Sequence, residues 1–410
     1  MNVTPKEKAI LRELAKKYAE LAALPVQKER YERGQDINDL KPRRPMVWLY
    51  EVPWHEMDIG GNLASQCESE FAKKMEFFFR QTLYRWQYIQ GDMVVENVLN
   101  IPKHYTSTGM GIEIKEHLLV KDEKNNINSH SYLDQLDTIE KVEALHKPVL
   151  TAFPEIDKQN LALANDILDG ILPVRLQGEY LYHAPWDRIP RYRGVMQVLA
   201  DLAFEPEFTH TIIKKFTECA QALIDQMENL GLFDNDVSHL HCTPPYVSEF
   251  ENAPATIKNT WYRGMAQLFT EVSPAMFEEF ELNYAKPLMA QFGLVYYGCC
   301  EALDNKIPLL KTIPNLRKIG VSPWANAESC AQQIGKDYVF AHKPNPAHVS
   351  GTFDEEATRK EITNIIELCH KYGCAYEFVL KDISTVSYNP QNLIDWARVV
   401  KEVIDGYYGA

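Results

Sequence analysis

The densest group of reactive residue types stands at the end of one apolar run, GLVYYGCCEALD, residues 293–304. Two adjacent thiols, Cys299 and Cys300, and the carboxyl group of Glu301 follow a stretch that is typical of a buried strand. Thiolates act as nucleophiles and metal ligands, and a carboxylate can move a proton. Because successive strand side chains point to opposite faces, Cys299 is predicted to share a face with Tyr297 and to enter a site. The sequence does not determine which way the Cys300 side chain points. A role for both thiols as small packing residues in a tight turn is the alternative.

Other apolar runs also stop at residues that can do chemistry. These strand-end residues are Glu51, His55, Glu96, Asn97, His239, His241, Cys242, Trp324, His342, Lys343, Lys381 and Asp382. In a parallel β/α barrel the C-terminal ends of the strands meet at one face, so these side chains are predicted to gather around one pocket. Each of them alone is equally consistent with a solvated or hydrogen-bonded structural residue. The prediction therefore depends on the occurrence of such residues at the ends of several strands.

Sulfur and imidazole side chains on two predicted neighbouring strands suit zinc, which favours these donors and keeps an open position in catalytic sites. His239 and His241 on one strand are expected to meet Cys299 on the next. Cys242 and Cys300 are alternate ligands. No spacing rule governs ligands from separate strands, so a metal-free arrangement stays open.

The elements that would position these residues are eight short runs of strand type that alternate with helical patterns. The runs are residues 46–51, 92–97, 171–177, 236–242, 293–299, 316–322, 337–343 and 375–381. Buried parallel strands read as continuous apolar runs and need crossover helices, which predicts an α/β fold of the (β/α)8 TIM-barrel type. An open doubly wound sheet is the alternative, although no GxGxxG or GxxxxGK[ST] motif follows any run.

The chain is predicted to divide into an N-terminal helical extension, residues 1–44, and a barrel domain, residues 45–410. A capping-box start at Thr4 and Glu7 marks the first helix of the extension. The long, mixed segment 99–170 is read as an insertion after the second strand.

Composition excludes several classes of protein. With 57 acidic and 43 basic residues the formal net charge is -14, and no basic run could follow a phosphate backbone, so no nucleic-acid partner is expected. No apolar signal region and no uncharged apolar stretch of about 18 residues occurs, so no membrane association is expected and a cytoplasmic location is predicted. The eight cysteines form no CxxC pair and are interpreted as free thiols.

Three segments carry a resemblance to a known family. They are GDMVVENVLNIPKHY, the pair VSPAMFEEF and YYGCCE, and IPNLRKIGVSPWANAE. In this order they resemble the uroporphyrinogen decarboxylase superfamily, especially its divergent corrinoid-linked methyltransferase-like branch, over residues 45–408. The resemblance implies a (β/α)8 barrel with a pocket at its mouth. Members include cofactor-free decarboxylases and zinc-dependent enzymes that move a methyl group between a corrinoid protein and a thiol.

The sequence departs from both types of member. The methyltransferase branch holds zinc with an H-x-C motif at this strand end and a cysteine after the last strand. Here Tyr297 stands at the histidine position, Cys299 at the first cysteine, and Lys381 with Asp382 at the second cysteine. The arginines that bind a porphyrinogen are absent after the first strand, and Asn97 replaces the decarboxylase aspartate.

The expectation from the resemblance is a methyltransferase that moves a methyl group from a small methylated substrate to a thiol or a corrinoid protein, with zinc assistance. No DxHxxG segment is present, so a partner protein would supply the corrinoid. The expected roles are catalysis by Glu96, His342 and Lys343, and substrate binding by Glu51, His55, Asn97, Tyr297, Glu301 and Trp324. A metal-independent decarboxylase or lyase for a small carboxylic acid and a noncatalytic ligand-binding barrel are the alternatives.

Overall fold

The centre of the molecule is a parallel sheet of seven strands in a computed structural model that describes residues 3–89, 91–120 and 129–409. In spatial order the strands are Met46–Leu49, Ala375–Leu380, Val339–His342, Leu316–Val321, Leu294–Tyr297, Trp261–Gly264 and Leu181–His183. The first strand along the chain pairs with the last, with Met46 opposite Glu377. This pairing curls the sheet back on itself.

A second parallel pair continues the curl. The strand Leu99–Pro102 pairs with Val174–Gln177, which lies just before Leu181–His183 in the chain. The remaining gap, beside Met46–Leu49, is spanned by the Asp92 backbone N–H, which donates to the Val47 carbonyl at 2.8 Å. The strands therefore surround one lumen, and the predicted TIM-type α/β fold is confirmed.

Helices cover the outside of the sheet, as buried parallel strands require. The α-helices are Pro5–Ala22, Pro25–Asn38, Glu70–Tyr88, Ile139–Glu143, Pro154–Leu168, Pro185–Arg188, Pro190–Arg193, Val195–Phe204, Pro206–Asn229, Pro274–Phe277, Asn283–Met289, Ile307–Leu310, Ala327–Ile334, Ala347–Ser350, Glu355–Tyr372 and Gln391–Tyr408. A π-helix spans Glu278–Leu282, and 3-10 turns span Trp54–Glu56, Ser248–Phe250, Ile257–Asn259 and Gln267–Phe269. None of the helices in the described ranges is both long and apolar enough to cross a membrane.

The N-terminal helices pack against the side of the barrel. The predicted capping box is present, and the Glu7 carboxylate also accepts the backbone N–H groups of Glu68 and Ser69 at 2.9 and 2.8 Å. Glu7 thereby joins the first helix to the start of Glu70–Tyr88. A second helix, Pro25–Asn38, follows where the sequence had suggested only a polar segment.

The segment between Pro102 and Val174 carries two antiparallel strand pairs. Tyr105–Ser107 pairs with Leu150–Ala152, and Glu116–Val120 pairs with Ser129–Tyr132. The predicted insertion boundary at residue 99 is wrong by one strand, because Leu99–Pro102 belongs to the barrel.

Two predicted strands are wrong. Residues 92–97 form no strand, because side chains bind this backbone instead: the Gln27 carbonyl oxygen accepts the Val95 N–H at 2.8 Å. Residues 236–242 also form no strand, and the strand at this position in the barrel is Trp261–Gly264. The alternation of apolar and polar residues in 236–242 does not come from a strand. It comes from the position of this segment, which leads into the lumen.

Candidate active site

Contacts between strands that are not neighbours define the lumen. Lys318 Nζ donates to Glu377 Oε1 at 2.7 Å, although another strand, Val339–His342, lies between theirs. In the same way Lys343 Nζ donates to the Tyr296 hydroxyl at 2.5 Å. These side chains therefore point inward. His342, the neighbour of Lys343, points outward by strand alternation.

The segment 240–246 fills the lumen. The Thr243 hydroxyl donates to Glu377 Oε2 at 2.8 Å, and the Trp261 indole N–H donates to the Pro245 carbonyl at 3.0 Å. Leu240 and Thr243 close a tight turn through paired backbone hydrogen bonds of 2.7 and 3.3 Å. His241 lies in this turn, and its backbone N–H donates to the Tyr180 hydroxyl at 2.7 Å. The turn carries the imidazole to the mouth of the barrel.

At the mouth, His241 joins the two thiols of the opening motif. Cys299 Sγ lies 3.7 Å from His241 Nε2 and 3.6 Å from Cys300 Sγ. Cys300 Sγ in turn donates to Asp382 Oδ2 at 2.6 Å and lies 3.6 Å from Lys381 Nζ, which also pairs with Asp382. We call these five residues the thiol cluster. It joins three different parts of the chain: the lumen turn and the ends of two strands.

Three residues at this site have left-handed backbone conformations that favour glycine. The φ angles are 61° at His241, 57° at Asp382 and 55° at Glu51, whose carboxylate accepts the Asp382 N–H at 2.9 Å. Such conformations cost about 1–3 kcal/mol each and persist where the surrounding structure enforces them, often at functional sites. Their coincidence in one contact network marks the cluster as a candidate site on grounds independent of its chemistry.

Gly298 explains how Cys299 reaches the mouth. Its φ of 93° breaks the alternation of the strand. Tyr297 consequently points toward the helices, where its hydroxyl donates to Glu281 Oε1 at 2.9 Å, and does not share a face with Cys299. The Glu301 carboxylate then holds the turn by accepting the N–H groups of Cys299 and Ala266 at 2.8 and 3.0 Å.

The electrostatics of the cluster place negative charge on the thiol pair. The contact with the Cys300 sulfur lowers the pKa of Cys299 well below its usual value, and His241, Arg263 and Lys381 act in the same direction against burial. The same contact raises the pKa of Cys300. Although burial opposes its charge, Lys381 has a raised pKa because of the neighbouring thiols. Burial and the charge of Cys299 raise the pKa of Glu301 to about 7.

The predicted zinc ligands do not assemble as a set. Of the expected ligands, His241 and Cys299 meet, and the alternate ligand Cys300 contacts Cys299, whereas the ring of His239 lies against that of Tyr50, 6.2 Å between ring centroids. In the described ranges, no group of three or more His, Cys, Asp or Glu side chains is arranged to hold a metal ion. The Lys381 ammonium group also lies beside Cys300, and it would repel a cation there. The arrangement does not fit zinc.

The predicted catalytic residues lie apart from the thiol cluster. His342 faces the helices, where its Nε2 contacts Glu361 Oε1 at 3.0 Å, and Lys343 is buried in the lumen below the mouth. Glu96 accepts the Tyr246 hydroxyl at 3.0 Å in a separate cavity. The structure therefore corrects the sequence-based grouping of these three with Cys299.

The predicted substrate-binding residues also separate. Glu51 is part of the mouth network, and Glu301 is buried beneath it. Asn97 is solvent-exposed, as is Trp324, at 65% of its surface. His55 lies near the loop that follows the strand Ala375–Leu380, with its ring centroid 6.4 Å from that of Tyr388. Cys242, an alternate zinc ligand, is fully buried in the lumen.

Sequence reasoning missed two cations near these sites, Arg263 and Arg85. Arg263 is buried under the mouth, where its guanidinium group donates to the Gly298 carbonyl at 2.8 Å and lies 3.9 Å from the Tyr296 ring centroid. The short motif WYRG that contains it was not recognised as a strand. A buried arginine inside an otherwise apolar run was the available signal.

Comparison with known proteins shows the fold alone. The chain is similar to the solved structure of a methyltransferase from Methanosarcina mazei, with a TM-score of 0.50 and 11% sequence identity, over 92% of this chain and 99% of that chain. No family model and no curated protein sequence matches the chain. Because one barrel fold hosts many activities, the function has to be argued from the site.

Proposed function

We propose that the chain is a methyltransferase whose reaction takes place at the thiol cluster. The observation that carries this proposal is the contact of Cys299 Sγ with His241 Nε2 at 3.7 Å and with Cys300 Sγ at 3.6 Å, at the C-terminal ends of barrel strands. Barrel enzymes place their reactive groups at this face. The likeness to a methyltransferase fold is consistent with the proposal.

The methyl group would leave a heteroatom of a small methylated substrate, and the electron pair of the broken bond would stay on that heteroatom. The leaving group then needs a proton. Lys381 and Cys300, whose pKa values are raised, are the protonated groups at the mouth. Asp382 contacts both and can hold the donor in place. The acceptor would be a thiol or a corrinoid from a partner protein, and either supplies the nucleophile.

Zinc assistance and a cytoplasmic location stay predictions from the sequence. No step above passes through a metal ion. Elemental analysis of protein purified without added metal is the direct test of zinc. Stoichiometric zinc that is lost in both Cys299→Ser and His241→Ala would show that the cluster rearranges around a metal ion.

A decarboxylase or lyase for a small carboxylic acid is the second candidate, and the charge of the lumen favours it. Three cations, Arg263, Lys318 and Lys343, are at most 2% exposed, and Glu377 pairs with Lys318 inside the lumen. Positive charge next to the mouth would attract an acid substrate and stabilise a developing carbanion without a metal.

One pair of assays separates these functions. Purified protein is incubated with reduced cobalamin and a panel of methylated ethers, amines and thioethers, and methylcobalamin is followed by its absorbance. We expect formation with wild-type protein, loss in Cys299→Ser and His241→Ala, and retention in Cys369→Ala, which alters a buried thiol on the helix side. Carbon dioxide release from small acids without methyl transfer would overturn the proposal in favour of decarboxylation. Neither product, despite ligand binding, would indicate a binding barrel.

A further inference from the structure

A second cavity lies beside the thiol cluster, where the strands Met46–Leu49 and Leu99–Pro102 are not paired. Its volume is about 340 Å³, and the helix Glu70–Tyr88 forms one wall. Most of its lining is aromatic or aliphatic and includes Tyr18, Trp48, Tyr50, Phe78, Val95 and Tyr246. A cavity of this size and lining is typical of a site for a small organic molecule.

One charged side chain in this wall has no partner of opposite charge. The Arg85 guanidinium group lies 5.4 and 5.2 Å from the ring centroids of Tyr50 and Trp54, and its Nε is buried without a hydrogen bond. No described carboxylate comes within ion-pair distance of it. In contrast, Arg80, on the same helix, pairs with Glu76 at 2.8 Å. Arg85 stays charged even where burial lowers its pKa, so the cavity holds an uncompensated positive charge.

The cavity lining also contains hydrogen-bonding groups. Glu96 accepts a hydrogen bond from Tyr246, and burial raises the pKa of its carboxyl group. His239 also lines the cavity. A ligand would therefore meet both a fixed cation and hydrogen-bonding groups. Such an arrangement orients an asymmetric molecule.

The cavity also adjoins the proposed reaction centre. His239 lines the cavity, and His241, two residues further along the lumen segment, contacts Cys299. Two residues of extended chain span at most about 7 Å. The cavity therefore lies next to the thiol cluster, with His239 and His241 joining the two.

We propose that the cavity binds a small organic acid, with its carboxylate on Arg85 and its planar or apolar body against Trp48 and Tyr50. The inference rests on the proposed function only in treating the cavity as the substrate site of the thiol cluster. When an arginine is stacked on aromatic rings, its N–H groups remain available to a carboxylate. The planar guanidinium group can then donate hydrogen bonds to both carboxylate oxygens in one plane. The acid in question would be the methylated substrate or, in the second candidate function, the acid that loses carbon dioxide.

The test compares acids with their amides. Binding of benzoate, cyclohexanecarboxylate, benzamide and cyclohexanecarboxamide is measured by isothermal titration calorimetry. We expect wild-type protein to bind each acid about tenfold or more tightly than its amide, since a hydrogen-bonded charge contributes about 1.5–3 kcal/mol. The preference should disappear in Arg85→Gln, persist in part in Arg85→Lys, and be unchanged in Arg359→Gln, which removes an arginine from the distant helix Glu355–Tyr372.

Equal binding of acid and amide by wild-type protein would overturn the inference. So would an acid preference that survives in Arg85→Gln. Thermal unfolding of each variant identifies loss of folding, in which case Arg85→Lys carries the comparison. Because no methyl acceptor is present in the titration, the binding result does not depend on turnover. Acid binding here, together with no methylcobalamin formation in the cobalamin assay, keeps this site and overturns the methyltransferase proposal alone.

Discussion

The strand Ala375–Leu380 and the residues just after it contribute to two lysine–carboxylate pairs at different heights in the barrel. Lys318 and Glu377 meet in the lumen, where their side chains are 0% and 3% exposed. Glu377 also accepts hydrogen bonds from Trp48 and Thr243, so both its oxygens are occupied. Lys381 and Asp382 meet at the mouth, where the Asp382 side chain is 45% exposed and its backbone is left-handed.

The comparison shows how burial and fully used hydrogen-bonding capacity distinguish a structural ion pair from one that can take part in chemistry. Every oxygen of Glu377 is bound within the protein, so this pair can hold the lumen together but cannot accept a ligand. Asp382 and Lys381 both contact a thiol, and Asp382 keeps solvent access, so this pair can exchange protons with the solvent through Asp382. Polar residues inside a barrel therefore indicate function only when their contacts are incomplete.

Removing the carboxylate from each pair gives the largest predicted contrast. Glu377→Ala leaves the Lys318 ammonium group buried without a counter-charge, and we expect a loss of about 3–5 kcal/mol in the free energy of unfolding. Asp382→Ala at the mouth should cost about 1 kcal/mol or less, because the Asp382 side chain is 45% exposed and Lys381 keeps Glu51 as a counter-charge at 3.5 Å. Urea unfolding measures both values. Equal costs would show that the two pairs do the same structural work.

The reactivity of Cys299 toward iodoacetamide tests the chemical side of the comparison. Because the pKa of Cys299 is lowered, its thiolate should persist as the pH falls below the ordinary thiol range and disappear only at the lower pKa. Cys299 is buried, so the reagent should reach it slowly. At about pH 6, where an ordinary thiol of pKa about 8.5 is less than about 1% ionised, the alkylation rate of Cys299 should nevertheless stay close to its rate at about pH 8. Mass spectrometry with peptide fragmentation locates the adduct.

Lys381→Met should shift this reactivity toward higher pH, since it removes a cation that stabilises the thiolate. Lys371→Met, on an exposed lysine that pairs with Glu328, serves as the control and should leave the profile unchanged. A Cys299 profile with an ordinary thiol pKa would contradict the assignment of a thiolate to the cluster.

Backbone strain at His241 predicts an intermediate effect. His241→Ala removes the imidazole but keeps a side chain at positive φ, whereas His241→Gly also relieves the strain. The glycine variant should be more stable than the alanine variant by about 1–2 kcal/mol, and both should lose activity. Thermal unfolding and the cobalamin assay measure the two properties. If alanine and glycine are equally stable, the turn is not under strain.

His342 predicts the smallest effect. It faces the helix layer and contacts Glu361, so His342→Gln should lower the free energy of unfolding by about 1 kcal/mol and leave methyl transfer unchanged. The same two measurements apply. A substantial loss of activity in a stable His342→Gln protein would place this residue back in the catalytic set that the sequence suggested.

The sequence predicted most of the barrel strands because the pattern that indicates a buried strand lies within a few consecutive residues. Continuous apolar runs marked six of the parallel strands. The run 236–242 was read as a strand, because burial in the lumen produces the same alternation as a sheet. Trp261–Gly264 was missed because a buried arginine interrupts its apolar pattern.

By itself the sequence determined the fold class, the position of the thiols at a strand end and the excess of reactive residues at that face. These follow from periodicity and composition, which are properties of neighbouring residues. Only the tertiary structure decided that Gly298 turns Cys299 away from the face of Tyr297, that His241 reaches it through the lumen, and that Asp382 meets Cys300. Such contacts join distant segments through the backbone angles of single residues, and no local pattern records them.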